Sequence, residues 1–255
     1  MGDLFDVNGI QMYCEVHGEG EPLLFLHGGL GSGDNWRYIF NAPPDGYRLI
    51  APDQRGHGAS TNPSNRFTFR QVAADMFALL DRVKIDRVNA IGVSGGGIAL
   101  LHMATQQPSR VASMIVVSAP PYFPAKARAI QAQFTEAMLP ESERAALRRR
   151  HEHGEEQIRQ LFDYVKRFAT DFDDVSFTPP MLGQITARTL IVFGDRDFLY
   201  PVSLAFDLHA AIPDSYLWVV PNGAHGPVFG AAAPRFVETA MAFLRGEWDR
   251  RGAVG

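Results

Sequence analysis

Three residues that could together activate a hydroxyl group occur along this chain in the order serine, aspartate, histidine. Ser94 lies in Gly92-Val93-Ser94-Gly95-Gly96, which matches the pattern G-x-S-x-G. Asp197 follows an apolar run of residues, and His225 lies among small residues after the last apolar run. A serine hydroxyl is a poor nucleophile near neutral pH, so it needs a base, and the base needs an acid that orients it. The sequence therefore predicts Ser94 as nucleophile, His225 as general base and Asp197 as orienting acid, although spacing alone also allows Asp195.

The surroundings of Ser94 predict a sharp turn between a strand and a helix. An apolar run at 88–93 precedes this serine, and a helical pattern follows it at 96–107. Such a turn strains the backbone of the serine and requires small neighbours two residues away, which Gly92 and Gly96 provide. The first peptide groups of the helix point their free N–H groups at nearby negative charge. The Gly95 N–H is therefore a candidate donor for an oxyanion hole.

A second donor should come from the loop after the apolar run at 23–26. This loop reads His27-Gly28-Gly29-Leu30-Gly31-Ser32-Gly33. Glycines allow the backbone to approach a substrate carbonyl closely, which an oxyanion hole requires. We favour the Gly29 N–H as the second donor, with the Leu30 N–H as the alternative.

The elements that must position these residues follow from hydrophobic periodicity. Asn8-Gly9, the pair most favoured in two-residue hairpin turns, separates two extended runs near the N-terminus. Six compact apolar runs resemble buried parallel strands, and they cover 23–26, 48–51, 88–93, 111–117, 189–193 and 216–220. Helical patterns lie between them at 68–83, 96–107, 202–211 and 234–245. The alternation predicts an α/β fold with a mostly parallel eight-stranded sheet, an N-terminal antiparallel hairpin and helices on both faces.

One segment interrupts the alternation of strands and helices. Residues 119–186 begin with several prolines and continue as a charged, helix-rich region without strand-like runs. We interpret this segment as a helical lid inserted into the domain, because no flanking spacer suggests a separate folding unit. The predicted core domain therefore comprises residues 1–118 and 187–255.

These motifs together resemble the α/β-hydrolase superfamily. The resemblance covers nearly the whole chain outside the lid and includes His27-Gly28-Gly29, the turn at 53–60, G-x-S-x-G-G, Gly194 to Pro201 in the form G-x-x-D-x-x-x-P, and Gly223-Ala224-His225. It supports Asp197 over Asp195, and it implies that Asp53 and Arg55 belong to a structural turn. Family members that open epoxides or remove halogens carry aspartate where this chain has Ser94, so the resemblance argues against both reactions.

The predicted function is a cofactor-independent serine hydrolase. Aromatic residues near the site loops and the lid favour a small to medium, largely apolar carboxylic ester or lactone, and the candidate pocket residues are Trp36, Phe123, Phe198 and Phe229. The same triad could instead support carbon–carbon bond hydrolysis, hydroxynitrile lysis or perhydrolysis. A small-molecule sensor without useful turnover is a further alternative, and the oligomeric state is left open.

Composition excludes several other classes of function. Lys and Arg number 24 against 28 Asp and Glu, so the chain lacks the basic surface that nucleic-acid binding requires. Cys14 is the single cysteine, which precludes an intramolecular disulfide. The His151-Glu152-His153 spacing does not match a common metal site, and the glycines near Ser94 do not match a dinucleotide site. We predict no metal and no other cofactor, a small-molecule substrate, no membrane partner and a cytoplasmic location.

Overall fold

Within residues 2–248, which the computed structural model describes, eight strands form one sheet. The strands are β1 Asp3–Val7, β2 Ile10–His17, β3 Glu21–Leu26, β4 Tyr47–Pro52, β5 Val88–Val93, β6 Val111–Val117, β7 Arg188–Gly194 and β8 Ser215–Val220. Their order across the sheet is β1-β2-β4-β3-β5-β6-β7-β8. The hairpin β1–β2 is antiparallel and β2 pairs antiparallel with β4, whereas all later pairs are parallel. The predicted sheet and its N-terminal hairpin are confirmed.

Helices cover both faces of this sheet. They are α1 Phe69–Arg82, α2 Gly95–Gln106, α3 Ala125–Gln133, α4 Glu141–Arg150, α5 Gly154–Arg167, α6 Pro179–Leu182, α7 Ser203–Ala211 and α8 Ala233–Leu244. Along β3, Leu24 and Leu26 pack in the apolar cluster that contains α1, α2 and α7. Leu23 and Phe25 pack in the opposite cluster, which contains α8. The two-residue period of the strand thus divides its side chains between two cores.

Four helices outside the segment 119–186 begin and end within one residue of their predicted limits. The start of α1 could be predicted because threonine is a common N-cap residue. Thr68 caps this helix by accepting a hydrogen bond from the Gln71 N–H at 3.1 Å. Cys14 lies buried in β2, where burial raises the pKa of its thiol to about 12.

Residues 118–187 join β6 to β7 and are called the β6–β7 connection. They contain helices α3 to α6. The connection is attached to the core by polar contacts. Asp174 accepts hydrogen bonds from the free N–H groups of Phe69 and Arg70, at 2.6 and 3.1 Å, at the start of α1. Nε2–H of His102, on α2, donates to the Asp174 carbonyl at 2.7 Å. The function of this connection as a lid stays a prediction.

Among the described residues, no helix combines the length and the apolar character that a membrane crossing would require. Helix α2 contains no charged residue, and its glycines, alanines and leucines are buried within the protein.

Candidate active site

Ser94 occupies the strained turn that its sequence predicts. It lies between β5 and α2 with φ 52° and ψ −116°, which is outside the regions that side chains other than glycine favour. A β-carbon on Gly96 would lie 2.1 Å from the Leu26 carbonyl oxygen, and one on Gly92 would lie 2.5 Å from the Gly96 carbonyl oxygen. Glycine is therefore required at both positions by close backbone contact. The Ser94 N–H donates to the Val117 carbonyl at 2.7 Å and fixes the turn against β6.

A continuous chain of hydrogen bonds joins the three residues singled out in the sequence. The Ser94 Oγ lies 3.0 Å from Nε2 of His225, and Nδ1 of His225 lies 2.8 Å from Oδ2 of Asp197. Nδ1–H donates to the carboxylate, which leaves Nε2 free to accept the serine proton. This is the arrangement of a nucleophile, a base and an orienting acid.

Asp197, and not Asp195, faces the histidine. The side chain of Asp197 is 0% exposed, and its Oδ1 accepts N–H groups from Leu199 at 2.8 Å and Tyr200 at 3.1 Å. Burial acts to raise the pKa of this carboxyl, but the hydrogen bond and charge of His225 and the two N–H donors together lower it. Asp197 is therefore ionised beside the imidazole. Asp195 is exposed and lies 4.0 Å from the Arg196 guanidinium.

Tight contact between two loops brings Asp197 and His225 together. The loop after β7 approaches the loop after β8 so closely that a β-carbon on Gly194 would lie 2.1 Å from the Gly223 carbonyl oxygen. That carbonyl accepts the Arg196 N–H at 2.8 Å. On the other side of the histidine, the Gly226 N–H donates to the Ser118 hydroxyl at 3.1 Å. Backbone contacts thus fix the histidine loop on both sides.

The two candidate oxyanion donors lie side by side at the serine. A β-carbon on Gly95 would lie 3.6 Å from the Gly29 nitrogen, so the two peptide groups are neighbours. Gly29 and Gly95 also both line the cavity at Ser94. Leu30, the alternative donor, has φ 59° and lines the same cavity.

The β6–β7 connection holds the oxyanion loop from outside. The Leu30 carbonyl accepts hydrogen bonds from Arg150 Nη1 at 2.9 Å and His151 Nε2 at 3.2 Å. His151 accepts the Gly58 N–H at Nδ1, 2.9 Å away, so its ring bridges two backbone loops. The end of α4 thereby fixes the position of Leu30.

A cavity of about 250 Å³ opens at the serine and is largely apolar. Its lining comes from the loops of the core, from α2 and from helices α3 and α5 of the β6–β7 connection. Among described residues it consists of Gly29, Leu30, Phe69, Ser94, Gly95, Ile98, Phe123, Ile130, Gln131, Phe134, Val165, Phe168, Phe198, Leu199, Tyr200 and His225. None of these is Asp, Glu, Lys or Arg, so the cavity suits an uncharged, mainly apolar group.

The four predicted pocket residues divide evenly. Phe123 and Phe198 line the cavity. Trp36 does not, and its prediction is corrected: it lies on the 3-10 helix Gly33–Tyr38 and is buried in the core on the opposite face of the sheet, with Arg37 over its ring at 4.5 Å. The prediction for Phe229 is also corrected: it lies outside the cavity lining, its ring is close to Gly226, and its side chain is 37% exposed to solvent.

Nine of the lining residues were not among the predicted site residues, and Tyr200, Phe69 and Gln131 are three of them. Tyr200 lies three positions after Asp197, and its ring meets the His225 ring edge-on with centroids 5.3 Å apart. Phe69 is the first residue of α1. Gln131 lies on α3, where nothing in the sequence marks it as a cavity residue.

The turn at 53–60 is not part of the hydrogen-bonded series formed by Ser94, His225 and Asp197. Asp53 accepts the Gly33 N–H at 2.6 Å and the Ala59 N–H at 2.8 Å. Arg55 forms a buried ion pair with Asp75, with Nε 2.6 Å from Oδ2. Both residues stabilise loops and neither contacts the triad.

A more open groove of about 730 Å³ lies beside the β1–β2 hairpin. Residues such as Asn8, Arg82 and Glu156 line it. Ser60 also reaches this groove, but its hydroxyl donates to the Asp53 carbonyl at 2.7 Å and accepts the Tyr13 N–H at 2.9 Å, while Nε2 of His153 is bonded to the Ala59 carbonyl at 3.0 Å. Among the described residues the groove shows no hydroxyl bonded to an imidazole, and the smaller cavity at Ser94 is the candidate active site.

Comparison with known proteins gives a consistent result. Residues 21–232 match the profile of the alpha/beta hydrolase fold family. The chain is 26% identical over 253 residues to a putative non-heme chloroperoxidase of Synechocystis sp., covering 85% of this chain and 88% of that protein. It is 28% identical over 228 residues to the human serine hydrolase BPHL, covering 86% and 78%.

Solved structures show the same fold at low sequence identity. A meta-cleavage product hydrolase from Pseudomonas fluorescens has a TM-score of 0.80 at 21% identity, covering 96% of this chain and 98% of that one. The enol-lactonase from Burkholderia xenovorans has a TM-score of 0.78 at 20% identity, covering 95% and 100%. At these identities the likeness concerns the fold alone.

Proposed function

The chain belongs to the α/β hydrolase fold family, and from this premise we propose that it is a serine hydrolase. Its substrate is a small to medium, largely apolar carboxylic ester or lactone, cleaved through an acyl-enzyme. The observation that carries this proposal is the hydrogen-bonded series from Asp197 through His225 to Ser94, which ends in an apolar cavity. A nucleophile beside an uncharged cavity favours an uncharged carbonyl substrate over a phosphate or a charged peptide.

The reaction begins when the Ser94 Oγ attacks the substrate carbonyl carbon and its proton moves to Nε2 of His225. The carbonyl oxygen becomes an oxyanion, which the Gly29 and Gly95 N–H groups stabilise. The tetrahedral intermediate collapses, the alcohol oxygen takes the proton from His225, and the acyl group remains on Ser94. In a lactone the alcohol stays attached to the acyl chain.

Water then hydrolyses the acyl-enzyme, with water as the attacking group and Ser94 as the leaving group. His225 takes a proton from water as its oxygen attacks the acyl carbon, and the second oxyanion occupies the same donors. Collapse breaks the bond to the Ser94 Oγ, which recovers its proton, and the carboxylic acid leaves. Asp197 remains ionised throughout and stabilises the imidazolium formed in each half-reaction.

The direct test combines covalent labelling with a panel of substrates. We expect a fluorophosphonate probe to label the wild-type protein at Ser94 and a series of nitrophenyl esters with increasing acyl length to give turnover. The 250 Å³ cavity predicts that activity falls once the acyl chain exceeds the available space. Absence of both labelling and turnover in the folded protein would overturn the proposal and favour a sensor.

Asp197→Asn is expected to lower kcat/KM by roughly 10⁴-fold, because the amide favours the wrong imidazole tautomer and removes the charge that stabilises the imidazolium. Asp195→Asn is the matched control, since it is the same substitution on the same loop at an exposed position. We expect it to change kcat/KM less than threefold. Steady-state kinetics on the best ester separate the two variants, and equal losses would contradict the assignment of Asp197.

A second candidate is perhydrolysis, which the relative described as a chloroperoxidase favours. Hydrogen peroxide would then replace water in the attack on the acyl-enzyme and give a peracid. The ester panel repeated with added peroxide tests this candidate through peracid formation. Peracid formed faster than carboxylic acid would make perhydrolysis the principal reaction.

A further inference from the structure

One polar side chain on the wall of the cavity lacks a hydrogen-bond partner. Gln131 lies on α3 of the β6–β7 connection and is only 5% exposed. Its Oε1 is buried, and no described residue donates a hydrogen bond to it. A buried amide without a partner is destabilising, because it loses its hydrogen bonds to water and gains none within the protein.

The residues that line the cavity beside Gln131 are mostly apolar. Ile130 and Phe134 of the same segment line the cavity with it, as do Val165 and Phe168 of α5. Apart from the triad, the other polar lining side chain is Tyr200, whose ring packs against His225. Gln131 thus carries the one amide side chain among the described residues that line the otherwise apolar cavity.

We propose that Gln131 determines specificity by binding a hydroxyl group of the substrate. The inference rests on the proposed function and narrows its substrate class to hydroxylated, uncharged esters or lactones. A hydroxyl group can donate to Oε1 or accept from Nε2, so it satisfies either orientation of the amide. A carboxylate or ammonium group is disfavoured, because the lining contains no Lys, Arg, Asp or Glu to pair with it.

The test uses esters that differ only in a hydroxyl group. On the acyl side, ethyl hexanoate is compared with its 3-, 5- and 6-hydroxy derivatives. On the alcohol side, hexyl acetate is compared with 6-hydroxyhexyl acetate, and acid release is followed in each case. We expect wild-type kcat/KM to favour at least one hydroxylated member by about 10- to 100-fold, since the unmatched ester leaves the buried amide unpaired.

Gln131→Met keeps the length of the side chain and removes its polar atoms. We expect this variant to lose the hydroxyl preference, through a lower kcat/KM on the hydroxylated ester, and to unfold at no lower temperature. Gln133→Met is the matched control, because Gln133 is exposed on the same helix. It should retain the wild-type preference.

Two kinds of result would overturn the inference. One is equal loss of activity on plain and hydroxylated esters together with a lower melting temperature in Gln131→Met, which indicates a structural role. The other is a wild-type protein without any hydroxyl preference, or a preference abolished by Tyr200→Phe and retained in Gln131→Met.

Binding separates this inference from the proposed function. The same esters are titrated by calorimetry into Ser94→Ala and into Ser94→Ala with Gln131→Met. Tighter binding of the hydroxylated ester that disappears in the double variant supports the role of Gln131, even if no ester is turned over. Turnover without any hydroxyl preference in rate or binding leaves the proposed function intact and contradicts the role of Gln131.

Discussion

Replacement of Ser94 by alanine is expected to lower turnover of the best ester by roughly four to six orders of magnitude. The variant lacks the oxygen that attacks the carbonyl carbon, so no acyl-enzyme can form. Residual catalysis would come from the oxyanion donors and from substrate binding, which act on attack by water. The measurement is kcat/KM by steady-state kinetics, with active-site labelling by the fluorophosphonate probe as a second readout.

The controls for this variant must show that only the chemistry is lost. Alanine at position 94 removes one oxygen atom and leaves Gly92 and Gly96 in place, so we expect cooperative unfolding at a temperature close to that of the wild type. Loss of labelling in the folded variant identifies Ser94 as the labelled group. A decrease of less than tenfold in kcat/KM would contradict nucleophilic catalysis by this residue.

The second large effect is a loss of stability in weak acid. Burial holds the pKa of His27 well below its ordinary value, lowers the pKa of His57 to about 3, and lowers the pKa of His102 and of His151 to about 4. In the unfolded chain these groups titrate near pH 6.5. Stability is therefore complete above about pH 6.5 and is lost as the pH falls toward 4, because the unfolded state binds more protons.

Burial is the main reason that these rings stay neutral in the fold, and two of them also accept a hydrogen bond that a proton would break. Nε2 of His27 accepts the Gln54 N–H at 3.0 Å, and Nδ1 of His151 accepts the Gly58 N–H at 2.9 Å. If either nitrogen were protonated, its N–H would point at the backbone N–H that now donates to it, and the hydrogen bond would be lost. The rings of His27, His57 and His151 also lie in series, with centroids 5.0 and 6.0 Å apart, so adding charge to one disfavours charge on the next.

One carboxyl partly offsets this effect. Burial raises the pKa of Asp53 to about 6, so the folded state takes up a proton here before the unfolded state does, and this stabilises the fold as the pH falls. Burial also raises the pKa of Asp174. Each proton that the unfolded state binds in excess lowers the free energy of unfolding by about 1.4 kcal/mol per pH unit. The destabilising effect of the four histidines exceeds the stabilising effect of the two carboxyls. The free energy of unfolding should therefore fall by on the order of 5 kcal/mol between pH 7 and pH 5.

Urea unfolding at pH 7, 6 and 5 measures this loss. In His102→Gln the amide can replace the Nε2–H donor to the Asp174 carbonyl without titrating, so we expect a slope smaller by about 1.4 kcal/mol per pH unit. His209→Gln, at an exposed position on α7, is the matched control. A wild-type free energy of unfolding that does not change between pH 7 and pH 5 would contradict the argument.

The sequence by itself determined the fold and the order of the candidate triad. The short apolar runs of the sequence form the strands. Apolar residues that recur every three or four positions, such as Val72, Met76 and Leu79, form the buried face of α1. These patterns are local, because backbone geometry fixes which side chains share a face. The turn at Ser94 was readable for the same reason, since Gly92 and Gly96 mark the close contacts that the strained serine requires.

Tertiary structure alone decided which residues meet across loops. Asp195 and Asp197 are equivalent by spacing, and only the family resemblance favoured Asp197; in the structure Asp197 lies against His225, where the contact between Gly194 and Gly223 brings their loops together. Trp36 packs on the far face of the sheet, whereas Gln131, unmarked in the sequence, lies on the cavity. Such placements depend on how separate elements pack together, and no local pattern of the chain encodes that arrangement.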